Sequence, residues 1–475
     1  LGLFVADFGM ADYSELLKLR GQRILAALDS NTDRKKAALL LEDIIRYILS
    51  TFEKEVTFQN EVEFHKSLVP NLSGPLSYEI ANELDYRLSL LSEYHFSSYN
   101  RILAFLKSGL NTLTSATLTG SHVSLIKILN EKPNQGIVAL ARQLKASPRT
   151  VRRNQQKLFN QFGFRIGAIL DIHRFGLSHY GLCFRTHGID FAHNFESWIQ
   201  NPANANIITP FFLGYGFDLE NLDGYCSFFI PDKIRAIKKM EKRVKWLEKK
   251  FFESTKLLKI QGNFSNVNFD SYDYISQQWS MSADLSTEGT LSFIKEHGLQ
   301  FSLPRGVHYS TTINRFNVVD WLLALMCGAG FLNKSERVTT LARYGFPIAK
   351  KTAWAHERKL ARSQTLIPVV MFGNLAFEDI ICIIIQCEDQ VVANLVQLVL
   401  QFAYCRIHPT TEGVIFFIGV PTGGSGLIRH LTRTLIQETS IHELTILRLK
   451  QDIPQAPSLE TYALWDNEGQ HWKSD

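Results

Sequence analysis

The stretch ALARQLKASPRTVRRNQQKL, residues 139–158, carries six Lys or Arg and no carboxylate. Leu140 and Leu144 stand one turn apart on a first helix. Ala141 is small enough for a second helix to cross closely over it. Ser147 has the side chain of an N-cap, and Pro148 follows at the first helical position, where a missing N–H is no loss. Val151 and Leu158, two turns apart, then point inward. Arg149, Arg152, Arg153 and Gln156 are left facing outward.

The absence of acid extends well beyond this stretch. Between Glu131 and Asp171 there is no Asp or Glu, but there are eight basic residues: Lys132, Arg142, Lys145, Arg149, Arg152, Arg153, Lys157 and Arg165. A solvated helix normally mixes both signs to gain i,i+4 pairs. A one-signed face suits an anionic partner, because a carboxylate there would be repelled by phosphate. A helix-turn-helix sets such a second helix in the major groove, where Arg and Gln meet base edges. On this reading Arg142, Lys145 and Lys157 contact phosphate, and Arg149, Arg152, Arg153 and Gln156 read bases. Ser147 and Thr150 complete the DNA-facing set.

Downstream of residue 172 the texture turns to short strands alternating with helices. YGLCFRT (180–186) puts Tyr180, Leu182 and Phe184 on one face. FAHNFESWI (191–199) has helical spacing, and IITPFFL and YCSFFI are strand candidates. The long helix KIRAIKKMEKRVKWLEKKFF (233–252) turns Ile234, Ile237, Val244, Leu247 and Phe251 inward. Because it carries Glu241 and Glu248, its other side reads as a solvated face. TKLLKI closes a β-α-β-β-α-β unit of ferredoxin-like plan.

The order then repeats. NVVDWLLALM (317–326) resembles the helix at 123–130. Leu140-Ala141-Arg142 matches Leu341-Ala342-Arg343, and Lys157-Leu158 matches Lys359-Leu360. DIICIIIQC, QVVANLVQLVLQF, CRIHP, GVIFFIGV, SGLIRHLTRTLIQ and ELTILRL follow as strand, helix, strand, strand, helix and strand. An internal duplication accounts for this. The second hairpin is diluted by Glu336 and Glu357, with Pro347 heading its second helix and Trp354 inside it. Its candidate DNA-binding residues are Lys350, Lys351, Arg358 and Lys359.

Upstream, Leu41, Ile44, Ile45, Ile48 and Phe52 share one helix face, as do Ile80, Leu84, Leu88 and Leu91. Residues 10–118 read as several helices, and LGLFVADF (1–8) as one strand. The expected organisation is α+β. A helical module spans 1–118, a trihelical or winged helix-turn-helix 119–172, and a ferredoxin-like domain 173–262. A polar linker occupies 263–315. A second, degenerate helix-turn-helix spans 316–376, a second ferredoxin-like domain 377–450, and a tail 451–475.

Residues 121–187 resemble the Lrp/AsnC (feast/famine) family of transcription regulators. The resemblance is carried by Leu140-Ala141, Ala146-Ser147-Pro148, Arg152-Arg153 and Lys157-Leu158, followed by a hinge, IGAILDIHRFGL. It extends over about 121–262, and more loosely over the second copy. It implies sequence-specific binding of double-stranded DNA. It also implies that the sandwiches associate through their sheets, as a homo-oligomer or an internal pseudo-dimer. The chain departs from the family at Lys145, where the turn usually has Gly, so either Lys145 takes an unusual backbone or the turn is of a different kind. Gln155 replaces an apolar residue. The family's T-G-x-y-D ligand loop corresponds to a longer LGYGFDLENLDGY (213–225), so no small-molecule effector is assigned.

The 475 residues are 45% hydrophobic and 20% charged with a net charge of +5, a globular composition of two to four domains. No run of about 18 apolar residues occurs, so no membrane span is expected. No charged segment followed by an apolar core opens the chain, so no secretory signal is expected. The first residue is Leu, as in a fragment of a longer protein.

Six cysteines without C-x-x-C spacing read as reduced core residues, and the expected location is cytoplasmic. Cys382 and Cys387 fall on opposite faces of one strand. His173, His179, His187 and His193 fit no metal-ligand spacing. GVPTGGSGLIRH (419–430) lacks the Lys of a P-loop and reads as a plain loop. No nucleophile or metalloprotease signature occurs. The expectation is a regulator rather than an enzyme, with no cofactor or metal. The alternative is a non-DNA-binding sensor or interaction scaffold.

Overall fold

The computed structural model describes residues 10–28, 30–53, 78–110, 117–186, 208–215, 222–276, 278–279, 303–372, 379–420, 431, 434–435, 441–449, 459–466 and 471–473. The strand expected at 1–8, the helices expected at 191–199 and over most of 425–437, and the loop residues 421–430 lie outside these. The chain is mixed α and β, with a helical N-terminal region and antiparallel sheets. It divides into two compact units.

The first unit is helical. It contains α1 (Met10–Ala26), α2 (Asn31–Glu53), α3 (Tyr78–Glu93), α4 (Tyr99–Leu110), α5 (Gly120–Glu131), α6 (Ile137–Gln143) and α7 (Pro148–Phe162). It also takes the end of α9 (Val318–Ala329), all of α10 (Lys334–Arg343) and most of α11 (Lys350–Arg362). Ser30 starts α2 by accepting from the Asp33 amide at 3.0 Å. Leu41, Ile44 and Ile48 are buried along one face of α2, and Leu84, Leu88 and Leu91 along α3, as their spacing predicts.

Helix α10 is sunk among these helices. Phe105 meets Phe331 edge-on at 4.7 Å, and the His95 amide donates to Thr340 Oγ1 at 3.0 Å. Asn333 and Glu336 form a reciprocal capping box at its start. The buried Glu336 carboxylate also accepts from Arg101 Nη2 at 3.1 Å and from the Ser97 hydroxyl at 2.9 Å. Burial pushes the Glu336 carboxyl up, but these donors outweigh it and hold it below its usual range.

The second unit is built around two large sheets. The first has strand order β3-β4-β2-β5, from β2 (Leu177–Thr186), β3 (Ile208–Tyr215), β4 (Leu222–Pro231) and β5 (Phe252–Ile260). Helix α8 (Ile234–Phe251) joins β4 to β5. Tyr180, Leu182 and Phe184 face it, together with Cys226, Phe228 and Ile230. The inner face of α8 is Ile237, Met240, Val244 and Leu247. Ile234, expected there, stands 74% exposed at the first turn.

The second sheet is built from β6 (Gly262–Val267), β9 (Gly306–His308), β11 (Asp379–Cys387), β12 (Tyr404–Pro409), β13 (Gly413–Val420) and β14 (Ile441–Leu449). Its order is β14-β11-β13-β12-β6-β9. Helix α12 (Asp389–Val399) packs on one face through Val391, Leu395, Val396 and Val399, against Ile383, Ile385, Phe416 and Ile418. Cys387 lies in this core, and Cys382 on the opposite face of β11. All six cysteines are free thiols.

Two segments differ from the expected outline. The stretch expected as a linker, 263–315, supplies most of β6 and all of β9, plus a hairpin of β7 (Tyr272–Asp273) and β8 (Gln278–Trp279). Its polarity misled because β6 and β9 become strands only through their pairing with β12 and with each other. The expected tail packs inward. Trp472 donates from its indole N–H to the Phe175 carbonyl at 2.7 Å and meets Trp321 edge-on at 5.1 Å.

The two helical hairpins correspond, with adjustments. Lys145 has φ 49° and Gly345 has φ 85°, so both first helices close through a left-handed residue. The Ala146 amide reaches the Ala141 carbonyl, and the Phe346 amide the Leu341 carbonyl. Ala141 therefore corresponds to Leu341, one residue out of step with the Leu-Ala-Arg match. After that turn the second copy is longer. Ala353 takes the place of Val151, Ala349 that of Ser147, and α11 starts at Lys350, so Pro347 lies in the turn rather than at the helix head.

β1 (Arg165–Leu170) and β10 (Leu366–Met371), which follow the hairpins, form a two-stranded sheet. Among the described residues no helix is long and apolar enough to cross a membrane.

The left-handed turn gives a paired test. Lys145→Gly is expected to stabilise the helical unit by about 0.5–1 kcal/mol, and Gly345→Ala to destabilise it by about 1–2 kcal/mol. Urea unfolding followed by circular dichroism reads both. Equal effects of the same sign would contradict the assigned backbone.

Candidate functional site

Helix α7 is built as an exposed, pre-capped rod. The Ser147 hydroxyl accepts from the Thr150 amide at 3.1 Å and lies 2.8 Å from the Thr150 hydroxyl. Pro148 opens the helix, and Gly163 ends it in the left-handed region at φ 59°. Val151 and Leu158 are buried, as are Leu140 and Ala141 on α6, and Gln155 is half-buried. Helix α4 packs on the other end of α7, where the Arg101 guanidinium lies 5.6 Å from the centre of the Phe159 ring.

The sequence-predicted residues lie where the pattern put them. Arg142, Lys145, Ser147, Arg149, Thr150, Arg152, Arg153, Gln156 and Lys157 are all exposed. Among the described residues, none of those six cations forms an ion pair. All six face solvent. Burial, and then the nearby Lys157 ammonium, hold His122 below its usual range.

The second hairpin spends its charges internally. Lys359 donates 2.8 Å to the fully buried Asp320 carboxylate and 3.0 Å to the Arg315 carbonyl. Arg337 pairs with Glu357 at 2.8 Å, and Arg343 reaches the Arg23 carbonyl at 3.1 Å. Arg358 Nε turns back to the Trp354 carbonyl at 3.3 Å. Lys350 and Lys351 remain exposed without an ion pair among the described residues. The second candidate set is thus not brought together as the first is.

A second arrangement was missed in the sequence. The two sheets of the second unit face each other through Tyr225, Leu258, Ile260, Cys382, Ile384, Ile415, Phe417 and Leu447. Strand alternation sends His179 and Ser227 into this layer from one side, and Tyr404, Arg406 and His408 from the other. Gly181 makes room there, since a Cβ would lie 2.8 Å from the Tyr225 ring. His179 Nδ1 lies 2.8 Å from the Tyr309 hydroxyl, and the His179 and His408 ring centres are 5.5 Å apart. His173 stacks on Tyr309 at 5.1 Å, and Arg406 Nε donates to Asn263 Oδ1 at 3.0 Å.

His408 is 1% exposed, and neither of its ring nitrogens has a hydrogen-bond partner among the described residues. Burial, then the Arg406 guanidinium, then the neighbouring imidazole hold His179 and His408 well below their usual range, the neighbour being His173 for the former and His179 for the latter. Burial pushes the Tyr309 phenol up, so it stays a donor. The layer is a set of neutral imidazoles and phenols around one guanidinium. Motif spacing does not detect it, because its members come from five separate segments. The signal was polar residues at inward positions of strands whose neighbours are all apolar.

No family model matches the chain, and no curated protein matches it. Among solved structures it is similar to the siroheme decarboxylase NirDL, at 11% identity and a TM-score of 0.40, over 70% of this chain and 91% of that one. It is similar to NirDL in co-complex with an iron-uroporphyrin III analogue at 11% identity and a TM-score of 0.41, over 72% and 96%. PH0061 matches at 18% identity and a TM-score of 0.22, over 30% and 93%. At these scores the likeness assigns no ligand, reaction or residue role to this chain. It does correct the expectation that the chain is not an enzyme, because NirDL is one. The absence of short catalytic signatures does not exclude an enzyme, since a site gathered from distant strands leaves none.

The buried imidazoles make stability pH-dependent with a definite sign. Their folded-state values lie below the unfolded value near 6.5, so below about pH 6.5 the unfolded chain binds more protons. Stability is present above that value and is lost as pH falls through it, by about 1.4 kcal/mol per pH unit for each histidine. His408→Gln is expected to flatten the dependence of the urea midpoint between pH 7 and pH 5. An unchanged slope in a folded variant would refute the assignment.

Proposed function

We propose that the chain is a sequence-specific DNA-binding transcription regulator of Lrp/AsnC type, with α7 in the major groove. The carrying observation is the acid-free face of α7, whose exposed cations form no ion pair among the described residues. A helix that keeps four uncompensated cations, with two more on the hairpin before it, gives up the i,i+4 pairs that would stabilise it, and a phosphate backbone supplies the missing negative charge. Arg142, Lys145 and Lys157 position the protein. Arg149, Arg152, Arg153 and Gln156 read base edges, and Ser147 and Thr150 sit at the entering end of the helix.

The wider reading is a trihelical unit and a ferredoxin-like sandwich, each present twice, behind a helical module. Residues 119–172 and 316–376 are the two helix-turn-helix units, and 173–262 and 377–450 the two sandwiches. In both sheets the strands lie in the order fourth, first, third, second, which supports the ferredoxin-like reading. The two sheets pack through one shared core within the chain, which supports an internal pseudo-dimer. The first hairpin is the DNA-reading head. The second serves packing, because Lys359 is held on the buried Asp320 carboxylate.

A second reading is a sensor that takes a small molecule in the histidine layer, favoured by the two unpaired ring nitrogens of His408. Both readings can hold in one protein, a ligand-responsive regulator.

Arg152→Ala with Arg153→Ala is expected to weaken binding to a selected duplex at least about tenfold and to lower its salt dependence. Fluorescence anisotropy at two salt concentrations measures both. Wild-type affinity and slope in a folded variant would overturn the reading.

A further inference from the structure

Helix α8 carries a second one-signed face, and it lies on the second unit. Residues 233–251 hold nine Lys or Arg against Glu241 and Glu248. Arg235, Lys238, Lys242, Lys245 and Lys249 follow at alternating spacings of three and four, so they fall on one line along the helix. All five are exposed. Lys239, Arg243 and Lys250 flank that line, and together the cations span about 160° of arc. Both glutamates fall outside it, beside the buried edge made by Ile237, Met240, Val244 and Leu247.

An ordinary solvated face would not look like this. Successive members of the line are i,i+3 or i,i+4 neighbours of like charge, each pair working against the helix. Lys238, Lys242, Lys245 and Lys249 form no ion pair among the described residues. The helix holds its place because its apolar side is anchored on the sheet. Its outer side is free to gather charge for a polyanion.

Two classes of polyanion present themselves, and the fold favours one. A helix that lies in a membrane surface inserts an apolar face, and the apolar face of α8 is spent on the sheet. Trp246 lies within the cationic arc, with the Lys250 ammonium 4.9 Å from its ring centre. The cationic line runs about 21 Å along the axis, at the 1.5 Å rise of an α-helix. A continuous phosphate backbone matches a line of point charges.

We propose that the outer face of α8 binds the phosphate backbone of nucleic acid, adding affinity without reading sequence. The inference rests on the DNA-binding reading of α7 for its biological sense, but its chemistry is separate. Lysine ammonium groups on phosphate raise affinity on every sequence alike.

The test uses the full chain and the variant Lys238→Gln, Lys242→Gln, Lys245→Gln. A short fluorescein-labelled duplex of random sequence and one selected for tight binding are titrated across salt concentrations. The variant is expected to lose about two to three units of slope in log K against log salt. It should bind both duplexes roughly 10- to 100-fold more weakly at low salt while keeping their affinity ratio, because three phosphate contacts are removed. Its thermal midpoint should match or exceed that of the wild type. Unchanged slope and affinity overturn the proposal, and leave the α7 reading standing if Arg152→Ala with Arg153→Ala still weakens binding. Loss of binding to phosphatidylserine vesicles with unchanged duplex binding reassigns the face to membrane and also overturns it. A wild-type chain that binds neither duplex overturns both readings.

Discussion

Each of the two large sheets of the second unit is buried on both faces, and the rest of the unit depends on that constraint. One face takes a helix, and the other takes the opposing sheet. Every central strand must therefore alternate between two cores. Tyr180, Leu182 and Phe184 serve one, and His179, Gly181 and Cys183 the other. Burying a polar group costs free energy unless it is satisfied. His408, whose ring nitrogens have no hydrogen-bond partner among the described residues, is thus maintained in the shared layer at a cost. The same closure leaves α8 on the outside, with only one side needed for packing.

The helical unit obeys a different logic. Charge is treated oppositely in the two hairpins. In the second, Glu336, Glu357 and Asp320 take up Arg101, Arg337 and Lys359. In the first, no acid remains between Glu131 and Asp171, and the cations face solvent. Burial explains the difference in part. Glu336 and Thr340 are sunk among the N-terminal helices, so α10 must satisfy its polar groups internally. The outer half of α7 carries no such obligation.

Much of this was legible in the sequence, where the determinants are local. Ser147 and Pro148 start α7 by cap chemistry alone, and Lys145 marked the turn before it as a departure. The alternation in YGLCFRT identified the face toward α8. What stayed hidden depends on residues far apart in the chain. β6 and β9 are short and polar, and only their pairing with β12 and with each other makes them strands. The histidine layer joins residues 173, 179, 309, 406 and 408, which no spacing rule connects. Lys359 looked like a copy of Lys157 until Asp320 was seen beneath it. The arc of α8 looked mixed because its glutamates were counted without asking on which side they lie.

The central claim is that the uncompensated cations of α7 exist for a phosphate backbone. The most direct measurement is the affinity of the intact chain for duplex DNA, by fluorescence anisotropy, across a tenfold range of salt. The account predicts that log K falls linearly with log salt, with a slope of several units, as counterions are released. Binding that is absent at low salt, or that is insensitive to salt, would contradict it.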